Sequence, residues 1–388
     1  MQEMDTKRKD HLPKFVTPET AVQAVRSGDW VDYGFGAGVP ELLDQALAAR
    51  KGGVRDVKVR GGLVIRPRIE IVESDPEQES FTYYSWHIGD YERKLQTRGL
   101  VKFLPVMLRS LPYLYRDKHI RCDVAFVPVS RPDEDGYCGL GISNYVWRTI
   151  FESARTVIFE INEHYPRLQG VPYTVAKMLA ESDKHDLGCH TGTISDAFLE
   201  LYRAGKLTNA RKELDTGRSA WNLAMGSQAI YDWLDAEPEF FHPGDLDYIH
   251  SVERIAKLSN VISINGGVQL DLMGQENAES AGTRQLSGIG GQMDFLEGAY
   301  RSQGGKGFIC INVSRVTKDG ERKSNIVAAI PSGSTVSAPR TMIQHVATEY
   351  GIAVLSSKSL RERAEAMAAI AHPDFREKLM KYARDNFR

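Results

Sequence analysis

The chain has 388 residues, with 49 Lys and Arg against 51 Asp and Glu, a formal net charge of -2 and a sequence pI near 6.6. The length favours two ordinary domains over one large domain. The balanced charge provides no bulk positive field for nucleic acid or an anionic membrane, so we expect neither as a partner. No apolar run approaches the ~20 residues of a membrane-spanning helix and the first residues are charged, which predicts a cytoplasmic protein.

The first half of the sequence alternates between strand and helix patterns. Thr17 followed by Pro18 predicts the start of a helix that stops at Gly28, and a second helix is predicted from Pro40. The order of strand, helix and strand favours parallel βαβ units and an α/β fold. Strands are predicted at residues 30–33, 57–59, 123–129 and 156–161, and a further helix at 145–154.

The second half shows the same α/β pattern. We place the boundary after Leu168, behind a turn, which predicts domains at residues 1–168 and 169–388. Near the end, Ser359 and Glu362 form a capping box that opens an apolar-periodic helix. Further helices are predicted at residues 171–181 and 196–204 and from Pro373, and glycine-rich apolar segments at 261–313.

The cysteines are too few and too widely spaced to hold a chain of this length together by disulfide bonds. They form no Cys-x-x-Cys pair, so structural zinc is not expected, and we predict no metal site. Reduced thiols with mainly packing roles are predicted instead. The four are Cys122, Cys138, Cys189 and Cys310.

The strongest local signal is the glycine-rich stretch from Ser287 to Phe295. Its three glycines, Gly288, Gly290 and Gly291, allow a sharp turn whose amides can approach an anion or a developing oxyanion. A tight strand-to-helix connection without a ligand is compatible with the same pattern. We call this stretch the glycine loop.

A second glycine cluster, at Gly34, Gly36 and Gly38, follows a predicted strand and precedes a helix. The dinucleotide-binding fingerprint requires its third glycine where Val39 stands, and an acidic residue about 20 positions later is missing. This argues against a nicotinamide-dependent oxidoreductase. It favours a tight turn, and leaves a phosphate or pantetheine contact at a helix N-terminus open.

Longer stretches resemble the acetyl-CoA hydrolase/transferase family, which includes butyryl-CoA:acetate and 4-hydroxybutyrate CoA-transferases. They follow the family's order from about residue 15 to the end, and this collinearity is more specific than any single motif. The stretches are residues 123–138, 160–167, 186–191, 277–280, 287–295, 348–351, 359–363 and 371–376.

The resemblance implies two related open α/β domains of the CoA-transferase type, with the active site between them. It implies transfer of CoA between a short-chain acyl-CoA and a carboxylic acid such as acetate, butyrate or 4-hydroxybutyrate, in a homodimer or higher homo-oligomer. In the family a glutamate attacks the thioester and then carries CoA as a glutamyl thioester, while backbone donors stabilise the oxyanion. The resemblance implies coenzyme A and acyl-CoA as substrates, and it implies no metal.

The resemblance also implies CoA-binding positions. The glycine loop is suited to hold the oxyanion, and Gly267 lies in a stretch that lines the acyl pocket. Lys318 falls near a CoA contact, although a solvated turn lysine explains it as well. The positions are Gly170, Val171, Gly267, Gly288, Gly290, Gly291 and Lys318.

The sequence departs from the family at the nucleophile. The family glutamate follows a His-Thr pair, but here His190 and Thr191 precede Gly192, which cannot form the covalent intermediate. The catalytic residue is therefore unassigned, and water attacking beside Gly192 would give an acyl-CoA hydrolase. A non-catalytic acyl-CoA-binding protein is the other alternative. Candidate nucleophiles elsewhere are Glu160, Asp196, Glu279 and Glu349.

A second departure lies between Gly170 and Val171. The family carries an interdomain connection there, with a helix and a strand that ends in a glycine-rich loop, and this chain lacks most of it. Gly170 and Val171 match the end of that loop. Loss of a strand from a central sheet predicts either unpaired backbone groups or a shifted register.

Overall fold

The computed structural model describes residues 15–129, 138, 140, 143, 145–162 and 179–387. The helices are α1 (Pro18–Ala21), α2 (Leu42–Ala48), α3 (Glu70–Ser74), α4 (Asp90–Thr97), α5 (Leu111–Arg116), α6 (Trp147–Ser153), α7 (Asp196–Arg203), α8 (Gln228–Ala236), α9 (Leu246–Ile249), α10 (Val252–Ile255), α11 (Gln292–Arg301), α12 (Leu360–Ala369) and α13 (Pro373–Asn386). Short 3-10 helices lie at Val22–Ala24, Gly36–Gly38, Leu108–Ser110 and Pro238–Phe240. The predicted domain boundary at residue 168 lies outside the described residues.

The strands alternate with these helices. They are β1 (Trp30–Phe35), β2 (Val57–Gly62), β3 (Phe81–Ser85), β4 (Lys102–Phe103), β5 (Val124–Val129), β6 (Thr156–Ile161), β7 (His190–Ile194), β8 (Ser219–Ala224), β9 (Phe241–Pro243), β10 (Ile262–Gly266), β11 (Gln269–Asp271), β12 (Glu276–Asn277), β13 (Ser280–Ala281), β14 (Arg284–Gln285), β15 (Lys306–Cys310), β16 (Ser314–Val316), β17 (Arg322–Ser324), β18 (Ile326–Val327), β19 (His345–Thr348) and β20 (Gly351–Val354). The predicted α/β class is confirmed.

Local signals set several of these boundaries. The Thr17 side chain accepts a hydrogen bond from the Thr20 amide and caps α1, and the Ser359 capping box opens α12 as predicted. The predicted stop of the first helix at Gly28 is wrong, because regular α-helix ends at Ala21 and the chain is already extended at Val25. Gly28 instead takes a left-handed turn before β1, with a φ of 82°.

The first half contains a six-stranded parallel sheet in the order β4-β3-β2-β1-β5-β6. The central strand β1 pairs on both edges, so that Val31 lies opposite Val59 of β2 and Val124 of β5. Every residue of β5 is buried. A parallel sheet covered on both faces favours such continuous apolar strands.

The second half divides its long strands between two sheets, which we call the split sheet. One is β7-β8-β9 and the other is β10-β15-β19-β20, where only β20 is antiparallel. Within the described residues, β7 pairs on one edge with β8, and β10 pairs on one edge with β15. Residues 163–178, on either side of the departure, lie outside the described residues, so the prediction of unpaired backbone groups or a shifted register stays a prediction.

An apolar cluster joins the two halves. Phe35 and Tyr145 of the first half stack with ring centroids 5.5 Å apart, and they pack in one cluster with Leu223 and Leu246 of the second. Burial of these side chains away from water favours this arrangement. The apolar contact holds the facing surfaces of the halves together around the cavity described below.

All four cysteines are free thiols. Cys122 and Cys189 are buried, which raises the pKa of Cys189 to about 12, whereas Cys310 is exposed and so has no packing role. The described residues contain no group of three or more His, Cys, Asp or Glu side chains placed to hold a metal ion. None of the described helices combines the length and apolar character needed to cross a membrane.

Candidate active site

A cavity of about 1180 Å³ lies between the two halves. Phe35, His87 and Tyr145 line it from the first half, and Gly192 and His250 from the second. Residues of both β7 and β10 line the same cavity, so the opening of the split sheet forms part of it. The volume exceeds the roughly 300–1,000 Å³ of common ligand pockets.

The glycine loop brings its second and third glycines to this cavity. Gly290 has a φ of 60°, in the left-handed region, and a Cβ there would meet only His87, at 4.0 Å. Among the described residues, neither the Gly290 nor the Gly291 amide has a hydrogen-bond acceptor. Both glycines therefore present donors of the kind that an oxyanion requires.

Three other predicted CoA-binding positions that the structure describes are not part of the cavity lining. Gly288 is buried, and a Cβ on it would lie 2.8 Å from the Trp86 carbonyl oxygen. Gly267 packs against Glu276 in the same way, since a Cβ on it would lie 2.8 Å from the Glu276 Oε1. Lys318 is exposed in the turn between β16 and β17. Gly170 and Val171 lie outside the described residues, so CoA binding at these positions stays a prediction.

The first half holds the glycine loop in place. Arg93 donates from Nη1 to the Leu286 carbonyl at 2.6 Å, and His87 Nε2 lies 3.1 Å from Ser287 Oγ. Burial lowers the pKa of His87 to about 4, so its ring is neutral near pH 7. The loop that offers the free amides is thus anchored across the boundary between the halves.

His250 lies between Gly192 and the glycine loop. Its Nδ1 is 3.1 Å from Asp294 Oδ2, and Asp294 Oδ1 is 3.1 Å from Arg109 Nε. A Cβ on Gly192 would lie 3.1 Å from His250 Nε2, and a Cβ on Gly291 would overlap the ring. His250 Nε2 has no hydrogen-bond partner among the described residues.

Glu276 does not line the cavity but contacts Gln292, which does. Its Oε2 accepts a hydrogen bond from Nε2 of Gln292, which lines the cavity, while its Oε1 is buried without a partner among the described residues. Burial, aided by the nearby charge of Glu279, raises the pKa of Glu276 to about 8. Near neutral pH this side chain is therefore an uncharged acid.

Two of the candidate nucleophiles hold helix N-termini. Glu160 accepts hydrogen bonds from the amides of Glu41 and Leu43, both at 2.8 Å, where α2 begins. Asp196 accepts from the Ser227 amide at the start of α8, at 2.9 Å. Neither carboxylate lines the cavity. Their amide partners give each a structural role.

The remaining two candidates bind loops of the second half. Glu279 Oε2 accepts from Ser337 Oγ at 2.7 Å, and Glu349 Oε2 accepts from the Val313 amide at 3.1 Å. Neither residue lines the cavity. None of the four acidic candidates is therefore placed beside the free amides of the glycine loop.

His250, Arg109 and Glu276 lie in no motif that the sequence shows. Asp294 lies inside the glycine loop, where only the glycines indicate a function. His250 and Arg109 are isolated in the sequence and belong to no motif with a characteristic spacing. Only the positions of residues around Gly192 in the folded chain would have identified them.

Two family descriptions account for most of the chain. The acetyl-CoA hydrolase/transferase N-terminal domain matches residues 1–181, and the acetyl-CoA hydrolase/transferase C-terminal domain matches residues 226–383. The chain belongs to this family. The match confirms the resemblance inferred from the collinear sequence stretches.

Relatives and solved structures agree with this membership. The butyryl-CoA:acetate CoA-transferase of Anaerostipes caccae is 35% identical over 434 residues, covering 97% of each chain. That span exceeds the 388 residues here, so the relative has residues without counterparts in this family member. RipA from Yersinia pestis matches with a TM-score of 0.84 at 30% identity, over 95% of this chain and 97% of that one. A 4-hydroxybutyrate CoA-transferase from Porphyromonas gingivalis gives 0.75 at 26% identity, over 100% of both chains.

Proposed function

We propose that this family member transfers CoA between a short-chain acyl-CoA and a carboxylic acid such as acetate, butyrate or 4-hydroxybutyrate. The observation that carries the proposal is that Gly290 and Gly291 line a cavity shared by the two halves and that neither amide has an acceptor among the described residues. Attack on a thioester builds negative charge on the carbonyl oxygen, and oriented amides stabilise that charge. The transferase activities named for its relatives are of this chemical kind.

Gly192 requires a different route from the family's covalent one. Glycine has no side chain that could form a thioester with CoA. The four acidic candidates accept hydrogen bonds from structural partners away from the cavity lining. We therefore place both substrates together in the cavity, whose volume is about 1180 Å³. The acceptor carboxylate attacks the thioester carbonyl and expels CoA thiolate. The thiolate then attacks the acceptor's carbonyl in the mixed anhydride, which releases the original acid.

Exchange of label tests the transfer. Butyryl-CoA incubated with labelled acetate is expected to give labelled acetyl-CoA, and intact-mass measurement is expected to show no CoA adduct on the protein. Acyl-CoA binding with neither label exchange nor CoA release would support the non-catalytic alternative instead. A borohydride- or hydroxylamine-sensitive adduct would refute the direct route and restore a covalent one.

The setting of the protein forms a further part of the proposal. We infer a cytoplasmic homodimer or higher homo-oligomer that binds neither nucleic acid nor membranes. The family resemblance supports the assembly, and the balanced net charge of -2 supports the absence of those partners. Light scattering that gives a monomer mass, or fractionation with membranes, would contradict these points.

A further inference from the structure

We propose that His250 is the general base for the direct hydrolysis of acyl-CoA by water, the alternative reaction that Gly192 leaves open. The inference rests on the proposed function only in requiring acyl-CoA to bind in the cavity. It does not require an acceptor acid. Three features carry it: how His250 is oriented, what stands opposite its free nitrogen, and what the other cavity histidines do.

The orientation of the His250 ring is fixed by the Asp294 carboxylate at its Nδ1. Its side chain is 4% exposed and that of Asp294 is 1% exposed, with Nδ1 and Oδ2 3.1 Å apart. A carboxylate at Nδ1 favours the tautomer that has its proton there, which leaves a lone pair on Nε2. Arg109, 3.1 Å from the other Asp294 oxygen, compensates the buried negative charge. Asp294 and Arg109 are positioning residues in this scheme.

The free nitrogen faces space that only glycine leaves open. The direction of a Cβ on Gly192 points to His250 Nε2 at 3.1 Å, so any larger side chain at 192 would occupy the approach to this nitrogen. A Cβ on Gly291 would meet Cε1 and Nδ1 of the same ring, and Gly291 lines the same cavity. A water molecule on Nε2 and a thioester oxygen on the loop amides would therefore be neighbours.

The other histidines that line the cavity are engaged or exposed. Nε2 of His190 lies 2.9 Å from a main-chain carbonyl, and Nε2 of His87 lies 3.1 Å from a serine hydroxyl. His185 is 63% exposed and contacts an aspartate at 3.0 Å. Among the described histidines of the cavity, His250 alone combines a buried carboxylate partner with a free Nε2 beside the glycine loop.

The step balances without a further reactant. As the water oxygen bonds to the thioester carbonyl carbon, Nε2 takes one of its protons and the carbonyl becomes an oxyanion. The oxyanion collapses and breaks the bond from carbon to sulfur. The CoA thiolate leaves and receives the proton from His250, so that acyl-CoA and water give the carboxylic acid and CoA.

Substitution of His250 separates this activity from transfer. Without an acceptor acid, we expect His250→Asn to lower kcat for CoA release by about 100-fold or more, which is the usual range for loss of a general base. KM should change little, because Asn can still bond to Asp294. His119→Asn, at an exposed position outside the cavity lining, is the matched control and should hydrolyse normally. Unchanged hydrolysis in His250→Asn would overturn the inference, as would absence of hydrolysis by the unmodified protein.

A labelling experiment on the unmodified protein avoids any folding defect of the variant. In a single turnover in ¹⁸O water with protein in excess, direct attack places one ¹⁸O in the released acid and none in the protein. A protein carboxylate that attacks the thioester and then carries CoA as its own thioester would instead release unlabelled acid, and hydrolysis of that protein thioester would place ¹⁸O in the protein, which would overturn the inference. Label exchange between acyl-CoA and acetate is scored separately. Its failure alone refutes transfer and leaves His250 hydrolysis standing.

Discussion

The two halves of the molecule differ at the centre of their sheets. In the first half β1 is paired on both edges, and Val31 and Tyr33 are almost completely buried. In the second half β7 and β10 each pair on one edge within the described residues, and Ile262 and Ile264 of β10 are 51% and 50% exposed. One α/β pattern thus gives a closed scaffold in the first half and an open wall of the cavity in the second.

Matched charge insertions should give the largest difference between the halves. Val31→Asp places an unpaired carboxylate in the fully buried centre of the first sheet and should lower the free energy of unfolding by about 4 kcal/mol or more. Thr193→Asp, at an exposed position of β7, should change it by less than about 1 kcal/mol. Urea denaturation measures both. Equal losses would show that the split sheet is as closed as the first.

A buried ion pair gives the next largest effect. Arg60 donates to both Asp32 oxygens, and both side chains are at most 3% exposed. Asp32→Asn leaves the guanidinium without its counter-charge, and we expect a loss of about 3 kcal/mol in the free energy of unfolding. Thermal unfolding checks this, with Lys58→Met at a more exposed β2 position as the control. A smaller loss in Asp32→Asn than in Lys58→Met would show that the Arg60–Asp32 ion pair does not stabilise the first half.

Gly291→Ala should affect activity more than stability. The new methyl group would overlap the His250 ring, so the ring must move away from Asp294. We expect acyl-CoA turnover to fall at least about 10-fold. Gly266→Ala on β10 is the control, because a Cβ there meets nothing within 4 Å. Full activity in Gly291→Ala would show that the glycine loop and the His250 position are not needed for acyl-CoA turnover.

Glu276 should change how stability depends on pH, because the folded protein keeps this side chain uncharged near neutral pH whereas the unfolded chain does not. Its folded pKa of about 8 lies above the ordinary value of 4.5. Between these pH values only the unfolded chain releases the proton, so the free energy of unfolding falls as pH rises and then levels off above about 8. Glu276→Gln should remove that part of the slope. Urea titrations across this range measure it, and an unaltered slope would contradict the raised pKa.

The elements that the sequence predicted well have local causes. The strand predicted at residues 156–161 is β6 in full, and the Ser359 capping box begins α12. Caps and buried strands depend on residues that are close in sequence. The early helix end at Ala21 was missed because the change to extended backbone at Val25 is set by packing beyond that window. Family membership was predictable because many collinear motifs each add to it.

The site was only partly predictable. The sequence predicted the glycine loop and the absence of the glutamate at Gly192. It did not predict which side chains lie next to these positions in the fold. His250 and Asp294 are 44 positions apart, and Arg109 comes from the other half. Their convergence depends on how the halves pack, for which a single sequence has no periodic signal.

Arg93 and Arg109 reach from the first half to the ends of the same short segment of the second, at the Leu286 carbonyl and the Asp294 carboxylate. Hinged separation of the two lobes would break both contacts at once. The oxyanion donors would lose their anchor, and the imidazole would lose the support behind its carboxylate. The two contacts thus tie the loop amides and His250 to one relative placement of the halves, so a change in that placement would disturb both together.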